Sequence, residues 1–504
     1  MSEKQPNLTG GRRLARNVLW NLLGTGAPLL VAIVAIPMLI EGLGIARFGV
    51  LTLAWMVVGY FSLFDLGLGR ALTKLVAEKL GKGQDDEIPS LIWTAMSLMA
   101  VLGVLGAIVV AVLSPWLVGS VLKVPMELQP ETLTAFYLLA ISIPIVISST
   151  GLRGILEAHQ RFGLVNAVRI PLGIFTFLGP VAMLPFSDSL VPVVAALVAA
   201  RLVSLCTYVV LCLHVEPSLR HSVCIRRTMI RPLVSFGGWM TVSNIIGPFM
   251  VYMDRFFIGA AVSMAAVAYY ATPYEVVTKL WIIPGALMGV LFPAFSTVFA
   301  SDRSRTALLF ERAIHYIFTI LFPLIFIIVV LAPEGLDLWL GREFANNSAL
   351  VLQLLAVGVF INSLARIPHG LVQSAGRPDL IAKTHFVELP FYLWALWFVL
   401  PIYGIEGVAV VWVLRISVDT VVFFLVARSL LPEVRSAINH IARLMIVAMG
   451  VLFLAVMVTD IVMKIMFLFL ILLCFTIIAW FKILTEDERT MISQMSRRYL
   501  SIIG

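Results

Sequence analysis

The sequence predicts an all-α integral membrane protein, and three observations support that class. Of the 504 residues, 61% are apolar and only 13% are charged, about half the ~25% charged fraction of a soluble chain. The mean hydropathy is +1.02. Apolar stretches long enough to cross ~30 Å of hydrocarbon recur along the whole chain. Because a backbone inside a bilayer must satisfy its own hydrogen bonds, we expect these stretches to be helices.

About fourteen stretches have the length and composition of membrane-spanning helices. They cover approximately residues 17–41, 48–79, 88–121, 132–157, 163–185, 189–213, 231–258, 262–298, 307–332, 347–374, 378–402, 404–431, 438–459 and 461–483. Breaks between them fall at glycine-containing turn sequences at 42–44, 81–83, 376–378 and 403–404. The first stretch is too long for the apolar region of a signal peptide, so we expect it to remain as the first helix.

The basic residues predict the orientation of these spans. With the N-terminus in the cytoplasm, 24 of the 36 basic residues fall in the tails or at cytoplasmic loops and helix ends. Only five fall on the other side, namely Arg47, Lys123, Arg255, Arg342 and Lys464. Because cytoplasmic loops carry an excess of lysine and arginine, this distribution predicts that both termini are cytoplasmic.

An internal repeat predicts how the spans are organised. At an offset of 216 residues, Gly154–Glu157 matches Gly370–Gln373, and Arg161 matches Arg377. The offset equals six spans, so the repeats share one topology and are related by an axis along the membrane normal. We therefore predict an N-terminal lobe at 1–213 (spans one to six) and a C-terminal lobe at 214–431 (spans seven to twelve). Residues 432–504 form two extra spans and a cytoplasmic tail.

Seven basic residues remain inside the predicted spans. They are Arg70, Arg153, Arg169, Arg201, Lys279, Arg366 and Arg415. An ionised group inside a bilayer is costly unless it is paired or hydrated, so each is a functional candidate. We predict that five of them line a hydrated, cationic, substrate-binding cavity, namely Arg70, Arg153, Lys279, Arg366 and Arg415. Arginine suits phosphate because its planar guanidinium donates two parallel hydrogen bonds. Salt bridges between helices are the alternative for any single residue, and we expect Arg169 and Arg201 to snorkel.

Two acidic residues within the spans are candidates for ion coupling. Asp65 and Glu275 are placed where a carboxylate is able to bind a proton or Na⁺ during a transport cycle. The alternative is that they balance neighbouring cations. Glu275 and Lys279 stand four residues apart on one helical face, as do Arg415 and Asp419.

No pattern in the sequence predicts catalysis. The four cysteines are scattered, without the close spacing of metal ligands. The run Asp85–Glu87 consists of three consecutive carboxylates and is predicted to be a solvated loop face. No nucleotide-binding loop of the Walker type is present. We therefore expect no catalytic residue, no metal, no cofactor and no nucleic-acid partner, and we do not expect an enzyme.

Several short motifs resemble a known transporter family. They are YFSLFDLGLGRALTK at 60–74, RNVLWN at 16–21, DRFFIG at 254–259 and AYY at 268–270. They are similar to the polysaccharide-transporter (Wzx-like oligosaccharide flippase) branch of the MOP, or multidrug/oligosaccharidyl-lipid/polysaccharide, flippase superfamily. The resemblance implies two six-helix lobes that work by alternating access.

The resemblance also implies a function and a location. The function is that of a flippase which moves a polyprenyl-diphosphate-linked oligosaccharide across the bacterial inner membrane, for O-antigen or exopolysaccharide biosynthesis. Its implied partners are that glycolipid, membrane lipid, a coupling H⁺ or Na⁺, and the polysaccharide polymerase and chain-length proteins. The two extra spans are similar to those of lipid II flippases, which help to accommodate a lipid tail.

Three alternatives remain open at this stage. A MATE-like multidrug or organic-cation antiporter of the same fold predicts an acidic cavity, whereas the intramembrane charges here are mostly basic. A membrane glycosyltransferase or polymerase predicts a large external loop or a carboxylate cluster, and the sequence contains neither. The residues alone do not exclude a scaffold that transports nothing.

Overall fold

The computed structural model describes residues 28, 30–61, 67–159, 161–220, 224–299, 302–483 and 489. Every regular element in these ranges is helical, which confirms the predicted all-α class. Nine helices of this described part are long and apolar enough to cross a membrane. The chain is a multi-pass membrane protein. The part of the predicted first span that precedes residue 28 lies outside the described residues. So does the tail after Arg489.

The helices follow one another with short connections. They are α1 (Leu30–Leu43), α2 (Ile45–Phe61), α3 (Leu68–Lys82), α4 (Ile88–Trp116), α5 (Gln129–Ala158), α6 (Phe162–Met183), α7 (Leu190–Val215), α8 (Arg227–Ala261), α9 (Met264–Thr278), α10 (Ile282–Val298), α11 (Arg303–Leu340), α12 (Arg342–Ser374), α13 (Pro378–Leu430), α14 (Arg435–Met457) and α15 (Ile461–Ile478).

The four predicted glycine breaks are confirmed, because each contains a glycine with positive φ. Gly83, with φ of 67°, ends α3, and its N–H donates to the carbonyl of Leu80. This left-handed cap is accessible to glycine at little cost because glycine has no Cβ. Gly404 has φ of 57° and ψ of −147°, and it divides α13 into two helical halves.

The predicted eighth span, 262–298, is interrupted in the structure. A 3₁₀ turn at Lys279–Trp281 separates α9 from α10. Pro284 lies three residues after Trp281, and a proline lacks the N–H that an uninterrupted α-helix would donate to the carbonyl of residue 280. A 3₁₀ segment within a helix often marks a functional hinge. Lys279 and Trp281, the first and last residues of the turn, lie near the middle of this predicted span.

The chain divides into two compact units, and the first comprises residues within Met1–Thr272 and His385–Val408. Its core lies around α5, which packs on α3, α4 and α7. Leu72, Ile92, Ile147 and Ile155 are fully buried in this core. Gly103 lets α4 approach α5 closely, because a Cβ there would lie 2.5 Å from Pro144 Cα.

The second unit comprises residues within Pro273–Thr384 and Ala409–Gly504. Here α11 packs along α12, and Phe318 of α11 contacts Phe360 of α12 with ring centroids 5.5 Å apart. Phe475 of α15 packs on Phe322 of α11, with centroids 4.9 Å apart. Aromatic contacts of this kind fix α15 to the unit in addition to its buried apolar area.

The repeated glycines make matching contacts within their own units. A Cβ at Gly154 of α5 would lie 2.5 Å from Thr73 Oγ1 of α3. A Cβ at Gly370 of α12 would lie 2.0 Å from Met288 Cε of α10. Met288 follows Leu72, the neighbour of Thr73, by 216 residues. The matched helices therefore meet within one residue of matched positions, while the lobe boundaries at residues 213 and 431 stay a prediction.

Two basic residues assigned to the external side from their sequence positions are buried. Arg255 is 1% exposed and Lys464 is 5% exposed. Arg255 donates to the carbonyl of Val251, and its neighbour Asp254, which is 0% exposed, accepts a hydrogen bond from Tyr270 at 2.9 Å. Lys464 Nζ of α15 lies 2.7 Å from Glu334 Oε1 of α11. Both cations belong to the packing of their units, because a buried charge must be compensated.

The Lys464–Glu334 pair predicts a measurable coupling in stability. Replacing Lys464 with Met is expected to destabilise the protein by about 1–2 kcal/mol, because Glu334 loses its cation. This loss is smaller than the ~3–5 kcal/mol of a fully buried pair, since the Glu334 side chain is 38% exposed. Adding Glu334→Gln to Lys464→Met should restore part of the thermal midpoint in detergent. If the losses in stability of the single variants Lys464→Met and Glu334→Gln add up to the loss of the double variant, the pairing is contradicted.

Candidate functional site

A polar pocket of about 210 Å³ lies within the first unit, between α5, α6 and α7. Its polar lining residues are Arg153, Arg169, Arg201, Ser149, Thr150, Thr176, Ser204 and Tyr208. We call it the arginine pocket. It brings together one predicted site residue, Arg153, and two arginines that were expected to snorkel.

Helical periodicity explains why these residues share one pocket. On α5, Ser149, Thr150 and Arg153 follow Val146 at three, four and seven residues. On α7, Ser204 and Tyr208 follow Arg201 at three and seven residues. Residues at these spacings lie on one face of a helix. A search for polar stripes at this period would have found the polar faces of α5 and α7 from the sequence, but not that these faces meet in one pocket.

The pocket is strongly basic. Its three guanidinium groups come from three different helices, and no carboxylate is among the lining residues that the structure describes. Arg153 Nε lies 3.5 Å from Glu157 Oε1, one turn along α5. Arg201 Nη1 donates to the carbonyl of Leu197 at 3.0 Å. Because a carbonyl is neutral, this hydrogen bond does not compensate the positive charge of Arg201.

The expectation that Arg201 snorkels to an end of its helix is wrong. It lies near the middle of α7, at the twelfth of its 26 residues, so neither end of the helix is within reach of its side chain. Arg169, the eighth residue of α6, lines the same pocket. Sequence position alone gave no reason to prefer Arg153 over these two.

The hydroxyl groups of the pocket provide hydrogen-bonding capacity. Ser149, Thr150 and Thr176 each donate to the carbonyl one helical turn before, so their oxygen lone pairs stay available as acceptors. Ser204 is 5% exposed, and its hydroxyl has no hydrogen-bond partner among the described residues. A buried hydroxyl without a partner is unfavourable, so this one is placed to bind a ligand or water.

The other predicted cationic residues lie elsewhere. Arg70, the third residue of α3, is exposed and is not among the residues of the arginine pocket. Lys279, Arg366 and Arg415 belong to the second unit. Of the two ion-coupling candidates, Asp65 lies outside the described residues. Glu275 accepts a hydrogen bond from Lys279 at 3.1 Å, so the two form the ion pair expected from their spacing.

The second unit contains a row of aromatic rings that sequence reasoning missed. The ring of Tyr274 lies 5.6 Å from Trp412 and 6.5 Å from Trp281, both edge to face. We call these three residues the aromatic row. Arg366 Cζ lies 5.3 Å from the centre of the Trp281 ring, a cation–π distance. The sequence signal was a tryptophan two residues from an intramembrane lysine.

An apolar cavity of about 380 Å³ lies in the second unit between α12, α13 and α14. Its walls include Ile361, Leu364, Phe424, Ile441 and Met445. Such a cavity suits hydrocarbon rather than a polar group.

The predicted solvated loop at Asp85–Glu87 is a 3₁₀ turn with no buried residue. Glu87 pairs with Lys79, which satisfies this carboxylate without a metal.

A multi-pass helical protein with a basic, hydroxyl-lined pocket inside one helical unit and an apolar cavity inside the other has the architecture of a membrane transporter. Residues 14–299 match a family model described as polysaccharide biosynthesis protein. The chain is 34% identical over 408 residues to a Shigella flexneri protein named "Putative O-antigen transporter", covering 81% of this chain and 96% of that protein. The chain therefore belongs to the polysaccharide biosynthesis protein family, which the sequence motifs indicated. The name of this relative is that of a transporter, so the family points to a transport role and not to an enzyme.

Solved structures identify the fold. One is an inward-facing multidrug resistance MATE family transporter of the MOP superfamily, with a TM-score of 0.68, 15% identity and coverage of 82% of this chain and 99% of that chain. Another is the lipid II flippase MurJ in an inward closed conformation, with a TM-score of 0.70, 10% identity and coverage of 92% and 99%. The predicted MOP-type fold is confirmed.

Proposed function

We propose that the protein is a flippase for a polyprenyl-diphosphate-linked oligosaccharide, which it moves across the bacterial inner membrane by alternating access through a cationic cavity. The product would serve O-antigen or exopolysaccharide biosynthesis. The observation that carries the proposal is the arginine pocket, where Arg153, Arg169 and Arg201 line one cavity.

The chemistry of the pocket matches a diphosphate better than other ligands. A diphosphate presents several anionic oxygens within a few ångströms, and guanidinium forks bind such oxygens bidentately. Charge attraction is stronger there than in water, because the surrounding helices lower the local dielectric constant. The hydroxyls of Ser149, Thr150 and Ser204 supply partners for additional oxygens. The polyprenyl tail would stay in lipid, and the apolar cavity beside α14 suits part of it.

The remaining features of the proposal follow from the charges. The excess of basic residues at one set of loops supports cytoplasmic termini. Glu275, paired with Lys279, and Asp65 remain proposed sites for a coupling H⁺ or Na⁺. Contacts with the polysaccharide polymerase and chain-length proteins are proposed from the place of this step in such a pathway.

The organic-cation antiporter is the second transport function that the fold allows. The lining of the arginine pocket opposes it, because three guanidiniums repel a cation. A glycosyltransferase or polymerase is opposed by membership of a transporter family.

The proposed function is tested by the leaflet in which the glycolipid accumulates. In cells that lack the protein, the completed lipid-linked repeat unit is expected to accumulate on the cytoplasmic leaflet, where a membrane-impermeant oxidant of sugar diols does not reach it in intact cells. Re-expression of the protein should restore oxidation of the glycolipid by the externally added reagent. Normal labelling from outside in the deletion strain would refute the proposal.

A further inference from the structure

The interruption between α9 and α10 places an aromatic ring in polar surroundings. Trp281 ends the 3₁₀ turn, and its side chain is half-buried. Earlier on the same chain segment, the side chains of Glu275 and Lys279 are 47% and 36% exposed. Arg366, whose guanidinium lies over the Trp281 ring, is also exposed. Charged groups exposed near the middle of a span need water rather than lipid around them. The free surface of Trp281 is therefore expected to border a hydrated space.

Two ordinary roles of tryptophan do not account for this position. Tryptophans that anchor membrane proteins lie in belts at the two membrane–water interfaces. Trp281 instead lies near the midpoint of the predicted span 262–298. Tryptophans that fill cores are almost fully buried, as Trp412 is at 1% exposure on the same aromatic row. Trp281 is neither an interfacial anchor nor a fully buried core residue.

The geometry around Trp281 orients its ring. Tyr274 meets it edge to face at 90°, and Tyr274 itself is held between Trp281 and the buried Trp412. The indole Nε1 of Trp281 is buried and has no hydrogen-bond partner among the described residues. The exposed part of the side chain is therefore the π surface and not its donor. Arg366 Cζ lies over the ring at 5.3 Å from its centre, so a ligand that stacks on the remaining ring surface would meet the guanidinium at its edge.

A fixed aromatic surface beside an arginine matches the two sides of a sugar. One face of a pyranose ring presents C–H groups of partial positive charge, which are attracted to the negative face of a π system. The hydroxyl or carboxylate oxygens at the ring edge accept hydrogen bonds from a guanidinium. A hydrocarbon tail would match the ring but not Arg366, Lys279 and Glu275. A bare phosphate would match the cations but not the ring.

We propose that Trp281 and Arg366 form a sugar-stacking subsite in the second unit, which binds a pyranose ring of the glycolipid headgroup. This inference rests on the proposed function for the identity of the sugar-bearing substrate, but its binding chemistry does not depend on transport. The subsite gives the protein a means to distinguish a glycosylated diphosphate from a bare one.

The test compares two substrates in vesicles that contain the purified protein. The first is the glycolipid extracted from cells that lack the protein, and the second is undecaprenyl diphosphate without sugars. Trp281→Leu, which removes the ring, is expected to slow transport of the glycolipid about tenfold, with little change for the bare diphosphate. Trp281→Phe should lie between Trp281→Leu and the wild type. Trp394→Leu is the matched control, since Trp394 is a 65% exposed tryptophan of α13 without a charged neighbour along its helical turn.

A binding measurement separates this inference from the proposed function. Oligosaccharide released from the glycolipid by mild acid is mixed with detergent-solubilised protein, and saturation-transfer NMR reports contact between sugar protons and the protein. Binding by the wild type and its loss in Trp281→Leu support the subsite even if vesicles transport nothing, which would refute only the flippase. Equal binding, or equal slowing of both substrates, would refute the subsite while leaving the flippase in place. Absence of binding by the wild type would also refute the subsite.

Discussion

Replacing Arg153 and Arg201 together with glutamine is expected to reduce glycolipid transport by at least about 100-fold, with normal amounts of protein in the membrane. Each arginine would contribute a charge-assisted contact to the diphosphate, and such contacts are worth ~1.5–3 kcal/mol, or roughly one to two powers of ten each. Glutamine keeps a polar side chain of moderate length but loses the charge. The measurement is the initial rate of glycolipid transport in vesicles, normalised to the amount of protein.

The chain offers a matched control for this double variant. Arg443 of α14 is exposed and donates to the carbonyl of Asn439 one turn before, as Arg201 does to Leu197. Arg443→Gln should therefore transport at the wild-type rate. Arg201→Lys retains the charge without the fork and should give an intermediate rate. If Arg153→Gln combined with Arg201→Gln transports normally, the arginine pocket is not the diphosphate site.

The second large effect concerns folding. Gly49→Ala is expected to destabilise the protein by more than about 3 kcal/mol, at or beyond the upper end of typical overpacking costs. A Cβ at Gly49 of α2 would lie 1.8 Å from the backbone carbonyl oxygen of Met264, the first residue of α9. A backbone atom cannot rotate away as a flexible side chain does, so the two helices must separate. The measurement is the fraction of protein that stays monodisperse on heating in detergent.

Gly163→Ala is the control for this substitution. Gly163 lies in the first turn of α6, and a Cβ there would meet no atom within 4 Å among the described residues. Alanine also favours the helix by about 1 kcal/mol relative to glycine. Gly163→Ala should therefore be neutral or slightly stabilising. A thermal midpoint for Gly49→Ala equal to that of the wild type would mean that α2 and α9 are not in close contact.

The sequence predicted the helices and their breaks well because these depend on local chemistry. The length of the apolar stretches identified the spans. Glycines such as Gly83 and Gly404 identified the turns, because glycine has no Cβ and therefore adopts positive φ readily. The interruption at Lys279–Trp281 was not predicted. The residues of the turn are compatible with a continuous helix, and a proline such as Pro284 is able to kink a helix without interrupting it.

The site was only partly predictable because it depends on how helices are rotated and packed. The structure places Arg153, a predicted cavity residue, in one pocket with Arg169 and Arg201, which were expected to snorkel. The substrate-binding role of Arg153 stays a prediction. The side of a helix on which an arginine lies was readable from the polar stripe on α7. Its meeting with stripes of α5 and α6 was not, since that requires tertiary structure. The burial of Arg255 and Lys464 was missed for the same reason.

The buried pair of Asp254 and Arg255 has a consequence for how the protein is made. The translocon passes helices into lipid according to their apparent hydrophobicity. An arginine or aspartate at the centre of a span costs ~2.5–3.5 kcal/mol on that scale, and one nearer the end costs less. Asp254 and Arg255 lie seven and six residues before the end of α8, so each adds a smaller penalty than that. Released alone, α8 would expose both ionised groups to acyl chains. Tyr270 of α9 donates a hydrogen bond to Asp254. Because the connection between the two helices is short, α9 leaves the ribosome immediately after α8. Efficient insertion therefore favours lateral release of α8 and α9 together, as one preassembled hairpin.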